Sequence, residues 1–108
     1  MGKIQSTLRE IQQVGKRTRE FLIHPEHCPA LRKHRIVLAG ISLTTAQFRF
    51  VRFQPYELQI LVGLRGKGRV LVRDRWQLCP SGKAYCTPPG QRNAYNGALD
   101  SVVTRLEV

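Results

Sequence analysis

Two periodicities divide this chain. Over residues 3–22, KIQSTLREIQQVGKRTREFL, apolar side chains fall at Ile4, Leu8, Ile11, Val14, Phe21 and Leu22. That is helical spacing with polar residues on the other faces, and it predicts a short amphipathic N-terminal helix. Gly15 weakens its middle, and Pro25 and Pro29 end it. The following HPEHCPALRKHR reads as an extended connector. From residue 36 the period becomes two, with β-branched and aromatic residues enriched. Strands are predicted over 36–43, 47–54, 57–62, 69–77, 83–87, 94–96 and 102–108. Turn chemistry separates them: Pro55, GLRGKG at 63–68, CPSG at 79–82, PPG at 88–90 and NGALD at 96–100. Short strands at close intervals, without helices between them, indicate a mainly β, antiparallel sandwich or barrel. The organisation expected is one domain, with helix and connector over 1–35 and a β-barrel over 36–108.

Composition narrows the classes. With 108 residues and 42% apolar content the chain supports one core. No apolar run approaches the roughly 18–20 residues that span a bilayer, so no membrane partner is expected. The polar N-terminus lacks a signal-peptide core, and a cytoplasmic protein is expected. The chain stops inside a strand-like run, which fits either a minimal domain or a piece of something longer. Cys28, Cys79 and Cys86 are too few for a disulfide framework. The net charge of +11 divides almost evenly, eight cations and three acids up to residue 35, ten and four after it. A basic surface so spread along the chain fits nucleic acid, an anionic ligand or a merely solvated face.

Chemistry-bearing clusters are sparse. His24, His27, Cys28 and His34 carry suitable ligand atoms, but their spacing matches no zinc module. Ser42, Ser81 and Ser101 lack a patterned base. Trp76 and the phenylalanines of FRFVRF at 48–53 read as core or contact residues rather than base-stacking platforms. Gly63, Gly66 and Gly68 are expected to let a hairpin visit positive φ, and PPG to fix a corner at a barrel mouth.

One stretch carries a resemblance. Gly82, five residues, Pro88-Pro89-Gly90, two residues and Asn93 resemble the second signature of the cupin superfamily, with asparagine where that pattern has histidine. The final asparagine of the pattern is Gly97 here. Counting back from Gly66 puts Gln59 at the glutamate of the first signature. Its histidine pair falls on Arg52 and Gln54, or on Phe53 and Pro55. VLAGISL, YELQILVGLRGKGRVLVRDRWQL and CPSGKAYCTPPGQRNAY, in that order, most resemble the N-terminal effector-sensing cupin of AraC-type transcription regulators.

The resemblance implies a small jelly-roll barrel that binds a small polar or anionic effector, without catalytic residues, metal or other cofactor. Its register implies ligand contacts at Arg52, Gln54, Gln59 and Asn93. Alternation adds Leu61 and Tyr95, and Tyr85 closes the same wall. A homodimer is implied by analogy, and DNA contact only through a helix-turn-helix region not present in this chain. The alternatives are a nucleic-acid-binding or interaction module, and a metal-dependent cupin enzyme.

Overall fold

The computed structural model describes residues 11–98 and 100–108. Its strands are β1 (Ile11–Gln13), β2 (Arg19–Ile23), β3 (Leu38–Thr44), β4 (Arg49–Arg52) and β5 (Gln59–Arg65), then β6 (Gly68–Val72), β7 (Arg75–Cys79), β8 (Ala84–Thr87), β9 (Asn93–Asn96) and β10 (Ser101–Glu107). They form two five-stranded antiparallel sheets. Sheet A runs β1-β4-β9-β6-β7 and sheet B runs β2-β3-β10-β5-β8. Chain neighbours largely alternate between the sheets, which is the jelly-roll way of closing a small β protein.

The mainly β, antiparallel expectation holds, but the N-terminal helix does not. Residues 3–10 of that prediction lie outside the described residues. The remainder forms β1 and β2, joined by a turn with Gly15 at φ 85°. Arg19–Ile23 already alternates exposed and half-buried positions, and pairing with β3 decides the conformation of a segment with weak propensity. The segment before residue 36 therefore contributes a strand to each sheet. The connector is not extended either. Pro25–His27 forms a 3₁₀ turn and Pro29–Lys33 a short helix α1, each with proline in its first turn, where a missing N–H costs nothing.

The predicted strand over 69–77 is two strands. Arg73 (φ 53°) and Asp74 (φ 64°) form the tight turn between β6 and β7, so Trp76 pairs with Leu71 and its side chain is 36% exposed. Of the hairpin glycines, only Gly66 takes positive φ. Gly68 serves close approach instead, since a Cβ there would collide with the Tyr95 hydroxyl.

The core lies between the sheets: Phe48, Phe50, Leu61, Val70, Cys79, Tyr95 and Val103, with Tyr85 and Val72 packed against it. Phe48, Phe50 and Tyr95 make edge and tilted ring contacts with centroids 5.9–6.2 Å apart. At one end Tyr95 and Thr44 hydrogen-bond the Ser101 hydroxyl, which also accepts from the Ala98 N–H. At the other end the interior is polar.

Candidate functional site

Three strand pairings assemble the polar end. Arg52 at the end of β4 stands opposite Asn93 at the start of β9. Gln59 at the start of β5 stands between Glu107 of β10 and Thr87 of β8. One inward position further along, Leu61 lies between Arg105 and Tyr85. The corner after β8 is held by the Gly90 N–H donating to the Pro55 carbonyl at 2.8 Å. That bond brings the residues after the PPG turn back to the end of β4.

The constellation inside the barrel is therefore Arg52, Gln59, Thr87, Asn93, Arg105 and Glu107. All but Arg52 are buried. The Arg52 side chain keeps 24% of its surface in solvent and so marks the mouth. Its Nη1 lies 2.9 Å from Glu107 Oε2, and Arg105 Nε lies 3.6 Å from the same oxygen. Neither approach has hydrogen-bond geometry, and Arg105 Nε and Glu107 Oε2 remain without hydrogen-bond partners. So do Gln59 Oε1 and both amide atoms of Asn93. Both guanidiniums also lie over the Phe50 ring, 5.8 Å from its centroid for Arg52 and 5.1 Å for Arg105.

Burial pulls the Arg105 guanidinium below the usual arginine range; Glu107 opposes that pull, and Arg52 adds to it. Arginine nevertheless remains protonated throughout the physiological range. Arg52, Arg105 and Glu107 by themselves sum to one positive charge, and the inward Glu20 carboxylate, which accepts from Ser42, also favours the charged form of Arg105. Buried amides and a buried cation with unmet hydrogen-bonding capacity are costly unless something meets it. Such a site is suited to a small anion carrying further polar groups.

Of the residues expected from the sequence, Arg52, Gln59, Leu61, Asn93 and Tyr95 point into the barrel. Leu61 and Tyr95 belong to its apolar wall. Tyr85 packs against that wall, and its hydroxyl donates to the Leu78 carbonyl at 2.6 Å. Gln54 does not join the others. It is exposed and lines an outer pocket of about 390 Å³ with Phe53, Gly90, Gln91 and the Arg92–Asp74 ion pair. Strand β4 ends at Arg52, so the alternation that would have turned residue 54 inward is lost.

Arg105 and Glu107 escaped the sequence reading. The alternation of β10 sets Ser101, Val103, Arg105 and Glu107 on one face and Val102, Thr104 and Leu106 on the other. Apolar content favours the second face as the inner one, and the structure buries the first. The available signal was the opposite charges two residues apart on one face.

The positions that the cupin resemblance aligns with metal ligands (Arg52 and Gln54, or Phe53 and Pro55, then Gln59 and Asn93) offer at most a guanidinium and three amides. That donor set does not fit a divalent cation, which the two interior arginines would also repel. Among the described residues no three His, Cys, Asp or Glu side chains gather closely enough to hold a metal. His24, His27, Cys28 and His34 accordingly do not converge, and the three cysteines are free thiols. No described helix is long and apolar enough to cross a membrane.

No family model matches this chain, and neither does any curated protein. Solved structures do. A predicted oxalate decarboxylase from Thermotoga maritima superposes with a TM-score of 0.68 over 95% of this chain and 94% of its own, at 13% identity. The cupin domain of an XRE-family transcriptional regulator from Enterobacter cloacae gives 0.65 over 85% and 96%, at 9% identity. An RmlC-like cupin from Shewanella frigidimarina gives 0.63 over 91% and 81%, at 11% identity. At such identities architecture is shared and chemistry is not inherited, so the two sheets, their order and these superpositions together establish one thing: the chain has the cupin fold.

Proposed function

We propose that this barrel is a non-enzymatic sensor of a small carboxylate-bearing molecule, comparable to the effector-binding part of an AraC-type transcription regulator. The observation that carries this reading is the buried cluster of Arg105, Arg52 and Glu107 beside the unpartnered amides of Gln59 and Asn93. A ligand carboxylate faces Arg105 Nε and the Asn93 amide N–H, through charge-assisted hydrogen bonds. Ligand hydroxyls donate to Gln59 Oε1 and Asn93 Oδ1. Apart from the Glu107 carboxylate, which the two arginines hold, this set contains no nucleophile or general base, and that supports binding without turnover. That an XRE-family regulator carries a domain of this fold supports the regulatory context.

The sensor acts as a homodimer through the outward face of sheet B. Phe21, Ile23 and Ile41 are 62%, 49% and 41% exposed there, around a groove of about 480 Å³. Together with Ala39, Leu43, Val102 and Leu106 they make an apolar face of a kind that monomers rarely leave open. The ligand shifts the dimer's balance between two arrangements only by its difference in affinity for them.

A melting-temperature screen with mono- and dicarboxylates, hydroxy acids and neutral polyols tests the pocket. A binder at 100 times its Kd stabilises by about 2.7 kcal/mol, and Asn93→Leu abolishes the rise. No responding acid, or an equal response in Asn93→Leu, overturns the reading. Light scattering of Phe21→Lys/Ile41→Lys, expected to be monomeric beside a dimeric parent, tests the interface.

A further inference from the structure

The end of the barrel opposite Arg52 and Asn93 gathers cations that are far apart in the chain. Two adjoining depressions share Arg17 and Thr45 and so form one groove. The first, about 290 Å³, is walled by Arg17, Arg19, Thr45, Arg65 and Asp100. The second, about 330 Å³, is walled by Lys16, Arg17, Thr45 and Gln47. At the same end of the barrel, Arg49 and Arg69 flank Asn96 on neighbouring strands, and Lys67 lies in the β5–β6 turn. Lys16, Arg17, Arg19, Arg49, Arg65, Lys67 and Arg69 are all near this end.

Most of the described acidic residues lie away from it. Glu26, Glu57, Asp74 and Glu107 lie toward the opposite end, as the strand directions require. Glu20 turns inward and accepts from the Ser42 hydroxyl at 2.8 Å. Among the described residues Asp100 is the one carboxylate on the groove, and Arg65 Nε donates to its backbone carbonyl at 3.2 Å. Seven cations against one carboxylate leave about six positive charges, and the ion pairs Arg52–Glu107, Arg105–Glu107 and Arg92–Asp74 are all elsewhere.

We infer that this groove is a second binding site, for the phosphate backbone of a nucleic acid. Its cations are mostly arginines, whose planar donors match phosphate oxygens in pairs. The Thr45 hydroxyl is a further phosphate donor of the kind that positions a backbone without reading bases. A concave track walled by Lys16, Arg17, Arg19 and Arg65, with Arg49, Lys67 and Arg69 at the same end of the barrel, suits a strand of successive phosphates rather than one small anion or a flat lipid surface. The site is separate from the effector pocket, and its binding does not depend on a ligand there.

Fluorescence anisotropy with a labelled 20-nucleotide single strand and its duplex tests the inference. If four phosphates are neutralised, affinity for the duplex falls roughly 100-fold between 50 and 200 mM salt. Arg17→Glu/Arg65→Glu is expected to lose at least tenfold at 50 mM salt, with the melting temperature lowered by no more than a few degrees, since both side chains are exposed and the bond lost from Arg65 to Asp100 is a surface one. Arg17→Lys/Arg65→Lys retains most binding, and Lys33→Glu/Arg75→Glu at the other end loses less than twofold. An equal loss in that control pair, no binding of either oligonucleotide at 50 mM salt, or displacement by inorganic pyrophosphate at matched phosphate concentration overturns it. So does tighter binding to phosphatidylserine vesicles than to either oligonucleotide.

Discussion

Glu107 holds two guanidiniums inside the polar end of the barrel, Arg52 at 2.9 Å and Arg105 at 3.6 Å. Removing one partner of a buried charge set leaves the rest uncompensated, which costs about 3–5 kcal/mol. Glu107→Leu is therefore expected to lower stability in urea by about that amount. Arg105→Met/Glu107→Leu recovers most of it, because Arg52 at the mouth can turn to water. An equal loss in both variants would show that shape, not charge, sets the cost. Gly68 makes a second local demand. A methyl group there meets the Tyr95 hydroxyl, so Gly68→Ala costs about 1–3 kcal/mol in overpacking. Adding Tyr95→Phe restores little of that loss, because two ring carbons of the same side chain also lie 2.6 and 2.8 Å from the added Cβ; full recovery in the same denaturation experiment would show that the oxygen alone sets the cost. Neither requirement is written in the local sequence. Gly68 looks like any hairpin glycine, and Glu107 like the wet face of a terminal strand.

Single elements were legible to different depths. The strand series after residue 36 follows from period-two patterning, and the PPG corner from its turn chemistry. The break inside 69–77 is invisible because Arg73 and Asp74 occupy left-handed positions that usually advertise themselves as Asn-Gly. An arginine held at φ 53° is strained, so Arg73→Asn is expected to raise the stability of the β6–β7 hairpin by about 0.5–1 kcal/mol. A rise of about 2–4 °C in melting temperature would register it, and a fall would show that Arg73 makes a contact worth more than the strain. The N-terminal segment failed for the opposite reason. Its apolar spacing admits a helix, but β2 gains a ladder of partners from β3 that no local preference can outweigh.

For the molecule as a whole, the barrel decides how stability depends on pH. Burial raises the Cys79 thiol above its ordinary value of 9.0. Burial likewise raises the Tyr95 hydroxyl above 10.0, opposed by its bonds with Ser101 and Thr44. Both groups stay protonated longer in the folded state, so above about pH 9 the unfolded chain holds fewer protons and stability falls as pH rises. Their contribution is complete below pH 9 and drains through the raised folded values, Cys79 first. Melting curves from pH 7 to 11 are expected to be flat at first and then to decline, and Cys79→Ala delays the start of the decline. A variant that declines from the same pH as the parent would assign the loss to the tyrosines, Tyr95 and Tyr85, whose hydroxyls burial also raises.

Hydrophobic periodicity and turn residues determined that this chain makes an antiparallel β sandwich or barrel, and the cupin resemblance of its glycine and proline spacing implied inward positions at Arg52, Gln54, Gln59 and Asn93, all but Gln54 of which turn inward. These are local properties, and a two-residue repeat expresses them wherever the strand ends up. Which face of β10 turns inward, and with it the Arg105–Glu107 pair, was decided only when two sheets closed over one another. The same closure collected Lys16, Arg17, Arg19, Arg49, Arg65, Lys67 and Arg69 at one end, although the charge is spread almost evenly along the chain. Alternation states which residues share a face, whereas inside and outside are properties of the packed whole, because only packing removes one face from water.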